Sequence, residues 1–226
     1  MAGFRNSFDG GTSGATITVE NSGGASGDAF YSVDALTYST AQVYAGTLAA
    51  ASSFLYYTVK YLGLSFVGAW YLRSHIYAPA LPSSASRIQS IDGSGALNQY
   101  VSVLPDGRLE LGTKVSSSGY GVVATTSAAM ATGQWVRVET MWDLSGPAEV
   151  RLFNNPSSAT PTSVASGTLN TSFAGFSTAN FITPAGWYLD EVAAADGGWI
   201  GPAEPPRLTG GARLVGTAAA RRAATW

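Results

Sequence analysis

The chain has 226 residues, of which 46% are hydrophobic and only 12% are charged. This hydrophobic share supplies a sizeable core, and the length is compatible with one all-β domain. Twelve basic and fourteen acidic residues give a formal net charge of -2, so the protein as a whole has no electrostatic basis for binding nucleic acid. Cysteine is absent, which excludes disulfides, zinc-thiolate sites and a cysteine nucleophile.

The first third of the chain predicts short strands. Residues 3–46 indicate three or four of them, separated by turns rich in Gly and Ser. Residues 53–61 are rich in aromatic and β-branched types, which predicts a central strand. Residues 64–73 predict the next strand, in which Trp70 and Leu72 share one face and Tyr71 and Arg73 share the other.

Two hairpins are predicted in the middle of the chain. After a strand at 87–91, the strands 97–103 and 108–112 are joined by Leu104-Pro-Asp-Gly107, a sequence that supplies turn dihedral angles at low cost. Residues 134–143 alternate cleanly and are followed by a partner strand at 148–153. Arg137 and Glu139 lie on one face of residues 134–143, a spacing that favours an ion pair.

The chain closes with a strand and exit turn at 186–202, after which the composition changes. We therefore predict a sandwich domain over 1–204 and a basic arm over 205–226, which carries four arginines and no acid. This arm has two interpretations, a disordered end or a segment that docks on a neighbouring subunit. The residues assigned to docking are Arg207, Leu208, Arg213, Leu214, Val215, Arg221, Arg222 and Trp226.

The sequence offers little for catalysis. His75 is the only histidine, and no nucleophile pattern surrounds it, so we expect it to have a structural role. Glycoside hydrolysis needs two carboxylates about 5 to 10 Å apart, whereas Glu139 and Asp143 on one strand would stand roughly 13 Å apart. We expect no enzymatic activity, with a glycosidase that depends on Glu139 as the minor alternative.

No cofactor is expected, and a structural calcium ion is the minor alternative. Its oxygen ligands would come from Asp9, Asp28, Asp190 or Asp196, but no calcium-loop motif is present. Asp190 and Glu191 would point to opposite faces of a regular strand, so that strand alone could not direct both at one ion.

A glycan site would combine an aromatic platform, which stacks on the apolar face of a sugar, with polar groups at its rim. The aromatic residues of the predicted strands are the candidates for this platform. They are Tyr57, Tyr61, Trp70, Tyr71, Tyr100 and Tyr120.

Three stretches together resemble one known family. They are the opening residues 6–30, the segment Gly133-Gln-Trp-Val-Arg-Val-Glu139, and residues 187–202 with the exit Gly198-Trp-Ile-Gly-Pro202. In this order they resemble the LamG-like, or concanavalin A-like, domains of minor tail and other virion-surface proteins of phages that infect actinobacteria. The family carries paired aspartates where this chain has Asp190-Glu191, and the resemblance does not extend over 205–226.

The resemblance implies an all-β fold, a concanavalin A-like (LamG-like) jelly-roll sandwich of two antiparallel sheets with a C-terminal extension. It also implies a non-enzymatic structural protein of a tailed phage, a minor tail or capsid-decorating component with weak binding of host glycans. The alternative is a lectin-like adhesion module that recognises cell-envelope polysaccharide.

We expect partners to be other virion proteins, further copies of the chain and a host-envelope glycan, and not nucleic acid. The N-terminus shows no signal-peptide pattern, and no run approaches the roughly 20 apolar residues of a membrane helix. The expected location is the virion surface after synthesis in the host cytoplasm.

Overall fold

The computed structural model describes residues 3–53, 57–62, 68–93, 96–116, 119–143, 145–170 and 178–203. For residues 57–62, 93 and 96–98 it describes the backbone only. The arm predicted at 205–226 lies outside the described residues.

The described residues form two antiparallel sheets and no helix long and apolar enough to span a membrane. The strands, in chain order, are β1 (Gly3–Asn6), β2 (Ser32–Val33), β3 (Thr37–Ser39), β4 (Ala49–Ala51), β5 (Tyr57–Leu62), β6 (Ala69–Tyr77), β7 (Ser86–Gly93), β8 (Ala96–Val103), β9 (Arg108–Lys114), β10 (Tyr120–Ala129), β11 (Trp135–Asp143), β12 (Pro147–Phe153), β13 (Ser163–Thr168), β14 (Thr178–Thr183) and β15 (Tyr188–Ala195).

Sheet A has the order β13-β12-β11-β6-β15-β4-β3, and β1 also pairs with β15. Sheet B has the order β10-β9-β8-β7-β14-β5-β2. Consecutive strands along the chain often lie in different sheets, which is the arrangement of a β-sandwich with crossing connections. One edge is closed by side chains, because the Ser163 hydroxyl on β13 accepts a 3.1 Å hydrogen bond from the Ser127 amide on β10.

The core lies between the sheets and follows the alternation of the strands. On β11, Val136, Val138 and Trp142 are fully buried and face inward, as the alternating sequence predicts. Sheet B contributes Val101, Leu111 and Phe181 to the same cluster. Gln89 also points inward, where its side-chain amide donates to the Ser74 hydroxyl at 2.7 Å and accepts from the Thr140 hydroxyl at 2.8 Å, both on sheet A.

Both predicted hairpins are confirmed. The β8–β9 turn is closed by a 2.8 Å hydrogen bond from the Gly107 amide to the Leu104 carbonyl, with Gly107 at a φ of 84°. Only glycine adopts this dihedral angle at low cost. β11 pairs with β12 as expected, and Trp70 and Leu72 face inward while Tyr71 and Arg73 face outward.

Two predictions about strands were incomplete or wrong. The described part of the strand predicted at 53–61 is β5, which lies second from the edge of sheet B and not at its centre. Strands β10, β13 and β14 were not predicted, because they are rich in Ala, Ser, Thr and Gly and show weak hydrophobic alternation.

Candidate binding site

The outer face of sheet A carries a row of buried charged residues. Arg73, Glu139 and Glu191 are each at most 3% exposed, and Arg137 and Asp190 are buried as well. Arg137 Nε lies 2.8 Å from Glu139 Oε1, which confirms the predicted ion pair. Glu191 Oε2 lies 3.0 Å from Arg5 and 3.3 Å from Arg73, so this carboxylate serves two arginines. We call this row the covered face, meaning residues Arg73, His75, Arg137, Glu139, Asp190 and Glu191.

Three loop segments cover this face. Residues 44 and 45 donate backbone N–H groups to Asp190 Oδ2 at 3.0 and 3.1 Å, and the ring of Tyr44 stacks on His75 with centroids 4.0 Å apart. The carbonyls of Pro156 and Ser158 accept from the Arg137 guanidinium. The Gly201 carbonyl accepts from Arg73, while Arg151 lies over the ring of Trp199. Ligands are therefore kept from most of this face.

Burial governs the protonation of the covered face. Desolvation holds the pKa of His75 well below its usual value, and the nearby Arg73 lowers it further. Desolvation raises the pKa of Asp190 well above its usual value, although the hydrogen bonds that its carboxylate accepts from backbone N–H groups lower the pKa. The pKa of Glu139 is raised by burial although Arg137 opposes the shift, and burial lowers the pKa of Arg73 to about 10.

In a regular strand Asp190 and Glu191 would point to opposite faces, but β15 is not regular at this point. The register of β15 against β6 shifts between Asp190 and Ala193, and Glu191 has a φ of 46°. This bulge directs both carboxylates to the outer face of sheet A, one to the amides of residues 44 and 45 and the other to the arginines. This backbone conformation lets the Glu191 carboxylate pair with both Arg5 and Arg73.

Two of the three stretches behind the family resemblance, 133–139 and 187–202, meet on the covered face. Arg137 and Glu139 come from the segment 133–139, while Trp199 and Gly201 come from the exit turn. Glu139 is 1% exposed and ion-paired, so it is not placed to meet a sugar. These motifs hold the loops onto sheet A, which means that they are signatures of the fold and not of a ligand site.

Sheet B presents a different outer face at its β10 edge. Tyr100 and Val122 lie on either side of Gly112 in the pairing of β8, β9 and β10, while Tyr120 pairs with Lys114. Directly paired residues share a face, and the neighbouring pair Val101 and Leu111 belongs to the core. The two tyrosines therefore point outward.

Five residues form what we call the tyrosine patch. The rings of Tyr100 and Tyr120 meet edge to face, with centroids 5.8 Å apart. Arg87 Cζ lies 5.1 Å from the centroid of Tyr100 and 5.6 Å from that of Tyr120. The Tyr100 hydroxyl donates to Glu110 Oε1 at 3.2 Å. Tyr120 is 40% exposed and Val122 is 60% exposed, so the patch opens to solvent. Its members are Arg87, Tyr100, Glu110, Tyr120 and Val122.

The electrostatics of the patch suit polar recognition. Burial raises the pKa of Tyr100, and the neighbouring Glu110 raises it further, so this hydroxyl remains protonated and donates its hydrogen bond. A sugar site combines an aromatic ring with polar groups at its rim, and here those groups are a carboxylate and a guanidinium. Arg87 and Glu110 were not among the sequence candidates, since neither residue carries a sequence signal that separates it from an ordinary surface charge.

The structure brings together two of the six predicted aromatic residues, Tyr100 and Tyr120. The prediction of Trp70 as a sugar contact was wrong, because its side chain is 2% exposed in the core and cannot contact a ligand. Tyr71 lies on the outer face of sheet A, where its ring packs edge-on against Trp199 at 5.2 Å. The backbone pairs Tyr57 with Thr183 and Tyr61 with Ala179, but the side chains of both tyrosines lie outside the described residues.

Two clefts lie elsewhere on the described surface. One of about 410 Å³ opens beside β1 and residues 200–203, where Arg5 and Arg73 already share Glu191. The other, of about 390 Å³, lies between residues 79–86 and 184–187 and has no charged residue in its lining. The aromatic residues in their linings, Phe4 and Trp187, are buried, so neither cleft offers an exposed ring like that of Tyr120.

No group of three or more acidic or histidine side chains among the described residues is placed to hold a metal ion. Asp9 Oδ1 accepts from the amides of Thr47 and Leu48, Asp28 accepts from the Arg5 amide, and Asp190 is occupied as described above. The minor prediction of structural calcium has no donor cluster to support it in this part of the chain.

The sequence matches no protein-family model and no curated protein. In structure, the chain is similar to the receptor-binding domain of botulinum neurotoxin type G, with a TM-score of 0.51, 8% identity and coverage of 84% of this chain and 46% of that one. A galectin of Caenorhabditis elegans gives a TM-score of 0.46 at 14% identity, covering 61% of this chain and 90% of that one. The binding domain of botulinum neurotoxin DC in complex with SialylT gives a TM-score of 0.46 at 10% identity, covering 79% and 46%.

These likenesses concern the fold. The predicted fold is confirmed, a concanavalin A-like jelly-roll sandwich of two antiparallel sheets. The chain spans less than half the length of the botulinum neurotoxin domains. The two botulinum neurotoxin structures are described as binding domains.

Proposed function

We propose that this chain is a non-enzymatic, lectin-like module that binds carbohydrate through the tyrosine patch. The observation that carries the proposal is the exposed ring of Tyr120, which stands beside Tyr100 with Arg87 and Glu110 at its rim. The sugar would stack one apolar face on Tyr120 and Val122 and would make hydrogen bonds with the two charged side chains.

Two further points support this function. The charged residues that could otherwise serve catalysis, Glu139 and Asp190, are buried in ion pairs and backbone contacts on the covered face. The fold is one on which binding sites occur, although fold alone does not select a ligand. The site, and not the fold, therefore carries the proposal.

The test is a glycan array followed by titration calorimetry on the purified chain. We expect saturable binding that falls about tenfold, or about 1.4 kcal/mol, in the Tyr120→Ala variant. Tyr31→Ala is the matched control, because Tyr31 is 64% exposed and precedes β2 at the opposite edge of sheet B. No binding to any glycan, or equal binding by Tyr120→Ala, would overturn the proposal.

For the setting, the resemblance of residues 6–30, 133–139 and 187–202 to virion-surface domains supports a place on the particle of a tailed phage. In that setting the chain would be a minor tail or capsid-decorating component that presents the tyrosine patch to the host envelope. Immunogold labelling of particles from a phage that encodes this chain is the direct check. Label that stays with free protein and never with particles would refute the setting and leave the sugar-binding proposal untouched.

A further inference from the structure

Arg87 differs from the other arginines that the structure describes. The structure describes six arginines, and five of them have a carboxylate within ion-pair distance. Arg5 and Arg73 share Glu191. Arg108 pairs with Asp106, Arg137 with Glu139 and Arg151 with Glu149. The guanidinium of Arg87 forms no ion pair and no hydrogen bond with a described residue. Its contacts are the faces of Tyr100 and Tyr120, over which its guanidinium is held.

The carboxylate that could pair with Arg87 on this face, that of Glu110, is hydrogen-bonded to another residue. Glu110 lies on the same outer face, yet it accepts the hydroxyl hydrogen of Tyr100 at 3.2 Å and is not within ion-pair distance of Arg87. The five N–H donors of the guanidinium are therefore available. Contact with two aromatic rings restrains the guanidinium plane before a ligand binds. Little further side-chain entropy is therefore lost when those donors bind a ligand.

A restrained guanidinium is selective for a particular chemical group. Its planar fork matches the two oxygens of a carboxylate, with which it forms paired hydrogen bonds that a neutral hydroxyl cannot reproduce. Arg87 Cζ is 5.6 Å from the ring centroid of Tyr120, so one sugar unit stacked on that ring could place a substituent at the guanidinium.

We propose that the ligand is an acidic saccharide and that Arg87 binds the carboxylate of a uronic acid unit. This inference rests on the proposed function, since it names the class of sugar that the tyrosine patch selects. Tyr120 and Val122 supply the apolar contact that any sugar would use. Arg87 supplies the discrimination between acidic and neutral sugars.

The experiment uses a panel of uronic acid oligosaccharides, such as tetragalacturonate, each paired with its carboxyl-reduced counterpart. Titration calorimetry on the full chain should show at least tenfold tighter binding of the acidic member of a pair. In Arg87→Gln the preference should disappear, because binding of the acidic member falls at least tenfold while binding of the reduced member falls much less. Arg87→Lys keeps the charge without the planar fork and should retain only part of the preference.

The control variant is Arg108→Gln, which removes a half-exposed arginine that is paired with Asp106 on the same hairpin. It should keep the full preference, and thermal melting of every variant verifies that the fold is intact. Equal binding of acidic and reduced members, or a preference that survives Arg87→Gln, overturns the inference and leaves the proposed function standing. Failure of the wild-type chain to bind any member of this panel also overturns the inference, and the proposed function is then decided by the glycan array described above.

Discussion

The ring of Tyr100 lies across Gly112, its direct partner on the neighbouring strand, and occupies the space where any larger residue would place its Cβ. The absent side chain on β9 therefore allows Tyr100 to lie flat against the sheet and to meet Tyr120. A residue with no side chain thus positions the two aromatic rings of the tyrosine patch.

Replacing Gly112 with alanine should disrupt this arrangement. The added methyl group would overlap the Tyr100 ring, and we expect a loss of about 1–3 kcal/mol in the free energy of unfolding, as in other overpacked sites. Glycan binding should fall with it, because Tyr120 and Arg87 lose their common support. Chemical denaturation and calorimetry provide the two measurements. Gly3→Ala is the control, since its Cβ would meet only the Ala194 carbonyl at 3.5 Å. Unchanged binding in Gly112→Ala would contradict the assigned role of the ring.

Glu139 should be essential for stability and not for binding. In Glu139→Gln the buried Arg137 loses its counter-charge, and breaking a buried pair in this way costs about 3–5 kcal/mol. Urea denaturation measures this change. The control is Glu149→Gln, whose pair with Arg151 is more exposed and should contribute about 0–1 kcal/mol. Equal losses of unfolding free energy in the two variants would show that the buried Arg137–Glu139 pair stabilises the fold no more than an exposed pair does.

His75 should remain neutral under mildly acidic conditions. Its pKa in the folded chain lies well below that in the unfolded chain, so the unfolded state binds the proton first as the pH falls. The contribution of His75 to stability is therefore complete above pH of about 6.5 and decreases below it, with a slope of up to about 1.4 kcal/mol per pH unit. Because the chain has a single histidine, its imidazole resonance can be followed directly by NMR. Titration of that resonance near pH 6.5 in the folded protein would contradict the burial of the ring.

Deletion of residues 205–226 tests the prediction that the basic arm docks on a neighbouring subunit. We expect the full chain to form a discrete oligomer and the chain that ends at residue 204 to be monomeric. Size-exclusion chromatography with light scattering distinguishes the two. A monomer in both cases would remove the arm from assembly and would favour a module that binds sugar on its own.

The sequence predicted those parts of the fold that depend on local patterns. Alternation placed Val136 inside and Arg137 outside, and the Leu104-Pro-Asp-Gly107 turn placed β8 beside β9. The bulge at Glu191 could not be predicted, since a positive φ at a non-glycine residue depends on tertiary contacts that stabilise it. Alternation alone would have placed its carboxylate on the wrong face.

The site was predictable only in part. Tyr100 and Tyr120 could be chosen as aromatic strand residues, but so could Trp70, which is in the core. Their meeting depends on the register of three strands and on Gly112, which are relationships between segments distant in the chain. Arg87 could not be distinguished from the other arginines in the sequence. Its difference is three-dimensional, since no carboxylate of the described residues lies within ion-pair distance of its guanidinium.

The pairing of β1 with β15 has a consequence for the synthesis of this protein. Phe4 and Asn6 are among its most buried residues, yet their strand partners, Ala194 and Val192, are made almost two hundred residues later. The sandwich cannot close on the ribosome until nearly all of the described chain has emerged, and contacts so distant along the chain make for slow folding. During that interval the first strand has an apolar ring and unpaired backbone groups in solution. We therefore expect β1 to be a site of aggregation until β15 is available to pair with it.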